Sequence, residues 1–374
     1  MDEKRRVAII AGQLVVGGAE RQLYLWLAHM DRNKIDPLVI TLHPHHDDYW
    51  EKPIEDLGVP LIRVSKKTAK SMRLLEIVRI LRQFKPDIIH GWHFFSSVYA
   101  GLAARFLGVP CIGGIRSQYL ARSKSLAVTL VKNSCNAVVV NSHTAAIAYQ
   151  MALRKTSQTI FTVPNAVLDH PMDSQNLREQ FSLAYKLPMD SVWICSVGRM
   201  DPLKRFDVLL KMVDRLREEE AKFHVIIIGD GPEKVKMQHL VNSLKIDDHV
   251  SLLGEIPNAG YWMKAMDIFC FPSLSEGLPN AVMEAAAAGL PIVAWKLPFN
   301  EELLPDKRHA VLVEPENMEG MTSAVSRLIK SPDLRTQLGS SAQTHILEHF
   351  GLERYIQNLT MVYESVSKRN EGIE

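Results

Sequence analysis

Four cysteines in 374 residues, none in a Cys-x-x-Cys spacing, exclude a disulfide-built scaffold and a thiolate zinc site. Cys111, Cys135, Cys195 and Cys270 each lie in apolar, strand-like surroundings, which predicts buried, reduced thiols and a cytoplasmic protein. No uncharged apolar run reaches the length that spans a bilayer. The opening MDEKRRVAIIAG passes from charges straight into a short strand, so no secretory signal is expected. A dinucleotide fingerprint is missing too. The first loop runs Gly12-Gln13-Leu14-Val15-Val16-Gly17-Gly18 and lacks the GxGxxG spacing. No Asp-x-Asp follows a strand, so no metal and no other cofactor is expected. The segment HPHHDD, residues 43–48, has metal-ligand chemistry, but adjacent residues cannot all face one ion and it reads as a solvated loop.

What the chain does have is a globular composition, 47% hydrophobic and 23% charged, and a length that fits two domains. Its net charge of +2 hides an asymmetry. Residues 1–165 hold 22 Lys and Arg against 12 Asp and Glu, and the remainder holds 22 against 30. Residues 88–165 contain no acid at all, but seven Arg or Lys. Such a half favours an anionic partner: phospholipid, a lipid phosphate or nucleic acid. Within it, residues 65–85 carry Lys66, Lys67, Lys70, Arg73, Arg79, Arg82 and Lys85 against the single acid Glu76. Met72, Leu75, Ile77, Val78, Ile80, Leu81 and Phe84 approximate a helical stripe there. A crossover helix needs that stripe to cover its sheet, which leaves the basic face for reversible contact with an anionic membrane.

Strands alternate with helices along the chain, pause over the polar, Pro-containing residues 162–176, and resume. The alternation predicts an α/β protein with two doubly wound, Rossmann-like domains. We place them at 1–165 and 166–350, with a last helix in 351–374 packing back on the first domain. Ligands of such sheets bind beyond the carboxyl ends of the strands, so the site is expected in a cleft between the domains.

The segment FCFPSLSEGLPNAVMEAAAAGLPIVA, residues 269–294, carries the most chemistry. An apolar strand turns through Glu276-Gly277-Leu278-Pro279-Asn280 into an Ala-rich helix that stops at Gly289. Pro279 suits the first helical position and Gly289 the left-handed stop. The loop and helix start aim backbone N–H groups at one point, an anion site. Glu276 in the loop and Glu284, about two turns into the helix, flank it with groups that seek hydroxyls. A phosphate site so flanked describes a nucleotide-sugar pocket. In SVGRMDPLKR, residues 196–205, Arg199 and Lys204 can converge on one diphosphate, as a planar fork and a mobile point charge. In the first domain, Gly17 and Gly18 permit close backbone approach, and Glu20 is an early helical acid. His90, Trp92 and His93 end one strand and Arg116 the next.

The Glu-x7-Glu segment, SVGRMDPLKR, GDGPE (229–233) and HVSLLGEI (249–256), in this order, resemble the retaining group 1 glycosyltransferases of family 4, which have the GT-B fold. The resemblance spans essentially the whole chain and is strongest over 190–295. It implies transfer of a hexose from a nucleoside-diphosphate sugar, a UDP-sugar in preference, to a glycan, lipid-linked or membrane-proximal acceptor. It assigns Arg199 and Lys204 to the donor diphosphate, Glu284 to the ribose and Glu276 to the transferred sugar. The loop residues Gly277, Leu278, Pro279 and Asn280, and Gly17 and Gly18, fall on the donor side; Glu20, His93 and Arg116 are acceptor-side candidates. No nucleic acid is expected. Two departures stand out. Arg116 replaces the histidine that many relatives use for sugar contact, and could instead hold a phosphate. Ala166 replaces the glycine of a commoner Pro-Asn-Gly. The first domain's inner strands offer no carboxylate nucleophile apart from Glu20, which favours same-face substitution over double displacement. An epimerase of the same layout and a non-catalytic nucleotide-sugar binder are the alternatives. The first needs an acid/base at the sugar C2, and the second is disfavoured by the presence of Arg199, Lys204, Glu276 and Glu284 together.

Overall fold

The computed structural model describes residues 4–42, 48–65, 69–116, 126–153, 158–169, 174–219 and 221–371. Most of HPHHDD (43–47) and the pair Lys66 and Lys67 lie outside the described residues. The chain divides into two compact units. Unit 1 is Met1–Ala166 with Leu352–Glu374, and unit 2 is Val167–Gly351.

Unit 1 holds seven parallel strands: β1 (Arg5–Ala11), β2 (Ile35–Thr41), β3 (Leu61–Arg63), β4 (Ile88–Gly91), β5 (Cys111–Ile115), β6 (Ala137–Val140) and β7 (Thr159–Thr162). Their order is β3-β2-β1-β4-β5-β6-β7. The crossovers carry α1 (Gly18–His29), α2 (Glu51–Asp56), α3 (Lys70–Phe84), α4 (Phe94–Leu107), α5 (Leu126–Ser134) and α6 (His143–Leu153). The order reverses between β1 and β4, the switch point of a doubly wound sheet. The central strands read as continuous apolar runs because helices cover both faces: Val7 to Ala11 and Val138 to Val140 are all buried.

Unit 2 holds β8 (Val192–Val197), β9 (Phe223–Ile228), β10 (Val250–Gly254), β11 (Ile268–Phe271), β12 (Ile292–Trp295) and β13 (Val311–Val313), in the order β10-β9-β8-β11-β12-β13, again all parallel. Its helices are α7 (Ser174–Tyr185), α8 (Phe206–Leu216), α9 (Lys234–Leu244), α10 (Ala259–Trp262), α11 (Asn280–Ala287), α12 (Pro298–Leu303), α13 (Met318–Lys330) and α14 (Pro332–Phe350). Here the order reverses between β8 and β11. The last helix, α15 (Leu352–Glu371), belongs to unit 1.

Two local expectations are corrected. Pro279 is the N-cap of α11, not its first residue, since its ψ of 104° is extended. Glu284 therefore sits little more than one turn into the helix rather than two. Gly289, at φ +81°, does end the element in the left-handed region. Helix α3 also differs from its stripe. Ile77, Val78 and Leu81 face the core, but Met72 and Leu75 are 58% and 68% exposed, and Arg73 is buried. The outward face of α3 is thus mixed, basic with two apolar side chains, rather than purely basic. All four cysteines are buried and free, with Cys111 and Cys135 sulfurs 3.4 Å apart.

Candidate functional site

In unit 2 the switch point brings the loops after β8 and β11 together. The backbone N–H of Leu274 donates to Leu203 O at 2.8 Å, tying the two loops side by side. A short 3-10 turn, Pro202–Lys204, is capped by the Asp201 side chain, which accepts from Leu203 N at 3.0 Å. Arg205 then takes φ 52° to redirect the chain into α8. The turn delivers Lys204 over Gly198, where a Cβ would lie 3.5 Å from the lysine stem. Its ammonium forms an ion pair with Glu276 Oε1. Ser273, fully buried, donates its hydroxyl to the same oxygen at 2.7 Å. Lys204 and Glu276 were expected from the sequence, but Ser273 was not; its place three residues before the glutamate was its only signal.

The GDGPE turn props this loop from behind. Gly229 and Gly231 have φ of 144° and 159°, and a Cβ on either would fall 1.9 Å from Gly198 O or 2.5 Å from Met200 O. These glycines are required by contact with the loop that bears Arg199. Arg199 itself is exposed and, among the described residues, has no ion-pair partner. Gly277, Leu278 and Pro279 are buried and lead into the first turn of α11, where the Val282 and Met283 N–H groups both bond Pro279 O, at 3.1 and 3.2 Å. Glu284 is half-buried, and its carboxylate lies against Gly260 in α10. A Cβ there would stand 2.8 Å from Glu284 Oε2, so Gly260 makes room for the carboxylate. The structure thus places the cations Lys204 and Arg199, Glu276 and a helix start at one strand-end edge, with Glu284 farther along the same helix.

Unit 1 gathers the other candidates at the β1/β4 switch point. His93 Nε2 lies 3.1 Å from Glu20 Oε1, and Gly12 N approaches His93 Nδ1 at 3.5 Å. The carboxylate of Glu20 folds back over Gly17, where a Cβ would be 2.2 Å from Oε2. Gly17 therefore serves the close approach of Glu20; its own φ is extended. Gly18 is the first residue of α1. Trp92 is buried and donates Nε1–H to Ala19 O at 2.8 Å. The Arg116 guanidinium stacks 4.1 Å above the Trp92 ring and bonds Trp92 O and Asn165 Oδ1, each at 3.2 Å. Helix α15 supplies groups that sequence reasoning missed. Tyr363 bonds His90 Nδ1 at 2.8 Å, and Tyr355 donates to Gln22 O at 3.1 Å. Gln22 in turn brackets Ala166 with two 2.8 Å bonds. Burial, then the nearby Arg116 and His93, push the His90 imidazole down to about 3, so it is neutral. Burial raises Tyr355 to about 12 and pushes Tyr363 well above the ordinary tyrosine value. His90 is thus a buried, neutral structural group, while Glu20, His93 and Arg116 sit together at the strand ends.

Among the described residues no group of three or more His, Cys, Asp or Glu could hold a metal ion, and no helix is long and apolar enough to cross a membrane.

Comparison with known proteins gives matches over nearly the full chain. The family described as "Glycosyl transferases group 1" matches residues 178–345, and "Glycosyltransferase Family 4" matches 16–168. An uncharacterized glycosyltransferase of Haemophilus influenzae is 32% identical over 170 residues, 45% of this chain and 48% of that relative. The match thus spans about half of that protein's length. The UDP-Gal:alpha-D-GlcNAc-diphosphoundecaprenol alpha-1,3-galactosyltransferase of Escherichia coli is 23% identical, covering 84% of this chain and 85% of its own. Among solved structures, Anabaena Alr3699/HepE in complex with UDP-glucose superposes with a TM-score of 0.83 at 19% identity, over 96% of this chain and 99% of that one.

Proposed function

Because the chain belongs to the group 1 glycosyltransferases of family 4 and has their GT-B fold, we propose that it moves a hexose from a nucleoside-diphosphate sugar to a glycan or lipid-linked acceptor, with retention of anomeric configuration. A UDP-sugar is the favoured donor, in keeping with the UDP-glucose bound by the Anabaena structure and the UDP-Gal named for the Escherichia coli enzyme. The latter's diphosphoundecaprenol acceptor supports a lipid-linked acceptor here, and with it a role in cell-surface polysaccharide or glycolipid synthesis at the cytoplasmic face of a membrane.

The observation that carries this reading is the Lys204–Glu276–Ser273 cluster beside the start of α11. Lys204 has three N–H donors and uses one on Glu276. Its remaining donors, Arg199 and the N–H groups of α11 meet a diphosphate with fixed positive charge. That charge stabilises the leaving nucleotide without a metal. Glu276, oriented by Ser273, is left an oxygen for a sugar hydroxyl, and Glu284 serves the ribose. The departing phosphate oxygen then takes the acceptor's proton on the same face as bond formation. Glu20 is a poor nucleophile for the alternative double displacement, because its carboxylate is held against Gly17 and His93.

The membrane contact rests on the outward face of α3. Met72 and Leu75 are exposed there beside the exposed Lys70, Arg79 and Arg82. Each basic side chain near an anionic surface contributes about 1 kcal/mol, so binding should weaken with salt. Co-sedimentation with neutral and phosphatidylglycerol-containing liposomes tests this part, and equal pelleting on both sinks it. The transfer itself is tested by a thermal-shift screen against UDP-, GDP- and ADP-sugars, followed by UDP release on adding acceptor. A donor at 100 times its dissociation constant stabilises by about 2.7 kcal/mol. No shift with any donor refutes the reading, and sugar interconversion without nucleotide release marks an epimerase.

A further inference from the structure

Among the described residues Arg116 has no ion-pair partner. It follows β5 at the strand-end edge where β1 and β4 reverse the sheet order, the place where doubly wound sheets take ligands. Its bonds go to Trp92 O and Asn165 Oδ1, its flat face rests on the Trp92 ring, and the Tyr355 hydroxyl lies beside it. All four partners are uncharged. Glu20, a carboxylate whose field reaches it, stands with an oxygen 3.1 Å from His93 Nε2 instead. No carboxylate can come from the neighbouring strands, because residues 88–165 contain none, including the segment 117–125 that follows the arginine directly. The side chain is half-buried, and its partial removal from water lowers the guanidinium's pKa. Charges drawn out of water are ordinarily paired. The bonds to Trp92 O, Asn165 Oδ1 and the Tyr355 hydroxyl occupy only part of a five-donor fork, whose planar geometry matches a carboxylate or phosphate.

We propose that Arg116 is the specificity residue for an oxyanion, a carboxylate or a phosphate, carried by one of the sugar substrates. The proposal rests on the glycosyl-transfer reading and adds the chemical class of substrate to it. The oxyanion docks on the open edge of the guanidinium, which the Trp92 ring and Asn165 hold in one orientation. A lysine would supply charge without the fork, so Arg116→Lys retains only part of the effect.

The test measures binding of matched pairs by calorimetry. The donor pair is UDP-glucose and UDP-glucuronate. The acceptor pair is glucose and glucose 6-phosphate, each with and without saturating UDP. In the wild-type protein one anionic member is expected to bind about 10- to 100-fold more tightly than its neutral counterpart, the scale of a hydrogen-bonded charge pair. Preference within the donor pair assigns the oxyanion to a uronate donor. Preference within the acceptor pair assigns it to a phosphorylated acceptor. Arg116→Gln should reduce that preference to about twofold while leaving the affinity for UDP alone unchanged. A wild-type protein with no preference in either pair overturns the proposal, as does a preference that survives Arg116→Gln. If Arg116→Gln fails to fold by circular dichroism, the wild-type preference and its partial retention in Arg116→Lys decide. Loss of UDP binding in the wild type would instead refute the transferase reading. The acceptor pair without UDP still tests the arginine in that event.

Discussion

Removing Lys204 should cost the protein both catalysis and stability, in proportions that the geometry sets. Its ammonium and the Glu276 carboxylate are 19% and 16% exposed, between the free surface and the deep interior. Exposed pairs are worth about 0.2–1 kcal/mol, whereas breaking a fully buried pair costs about 3–5. For Lys204→Met, which keeps the stem over Gly198, we expect a loss of about 1–3 kcal/mol. That is a fall in Tm of roughly 2–10 °C for a unit of this size. Glu276→Gln should lose less, because Ser273 still donates to the amide oxygen. The double variant should lose less than the sum of the two, with a coupling of about 1–2 kcal/mol. For catalysis, Lys204→Met should lower kcat/KM by about 10²- to 10³-fold, the effect of one preorganised charge contact on the leaving group. Urea denaturation of the four proteins gives the thermodynamic cycle, and steady-state UDP release gives the kinetics. Additive stabilities would show that the pair is not a working contact. Wild-type kcat/KM in Lys204→Met would show that the diphosphate does not lie there.

The two carboxylates should separate kinetically: Glu284→Gln should raise the donor KM alike for every sugar, whereas Glu276→Gln should lower kcat and change the donor ranking, and identical signatures would contradict the assignment. Gly260→Ala should reproduce the Glu284 phenotype from outside the site, because its Cβ would stand 2.8 Å from Glu284 Oε2 and must displace the carboxylate; an unchanged donor KM would place the ribose elsewhere. Activity should persist in EDTA, and loss restored by Mg²⁺ or Mn²⁺ would refute the metal-free mechanism and return attention to residues 43–48. His90 is held neutral in the fold, with its pKa near 3 against 6.5 when exposed, so the unfolded chain binds the extra proton between those values. Its contribution is fully present above about pH 6.5 and is lost as pH falls towards 3, with a slope of up to about 1.4 kcal/mol per pH unit. Urea denaturation from pH 7.5 to 4.5 should show this slope, and it should flatten in His90→Gln; equal slopes would place the titration in another group.

Continuous apolar runs bounded by glycine loops announced the central strands, because a parallel sheet covered on both faces leaves no polar positions along them. The edge strands β3, β7 and β13 were not legible: at three or four residues, with only half-buried or exposed side chains, they are fixed by pairing to one neighbour and not by their own pattern. The donor-side candidates were legible for a similar reason. Lys204 and Glu276 lie on short loops whose ends are set by adjacent strands, so local spacing nearly determines where the side chains fall. What only the tertiary structure decided is who touches whom across the chain. Ser273 orienting Glu276, Gly260 yielding space to Glu284, and Glu20 turning to His93 are contacts whose residue types are ordinary in their own segments. The surroundings of Arg116 are the clearest case. Its neighbours come from β4's end, from residue 165 and from α15, and only their common lack of charge shows that, among the described residues, no carboxylate pairs with the cation. Sequence records what each group can do, but pairing is a property of distance. Distances between residues 116, 165 and 355 are set by the packing of a helix that the chain makes last.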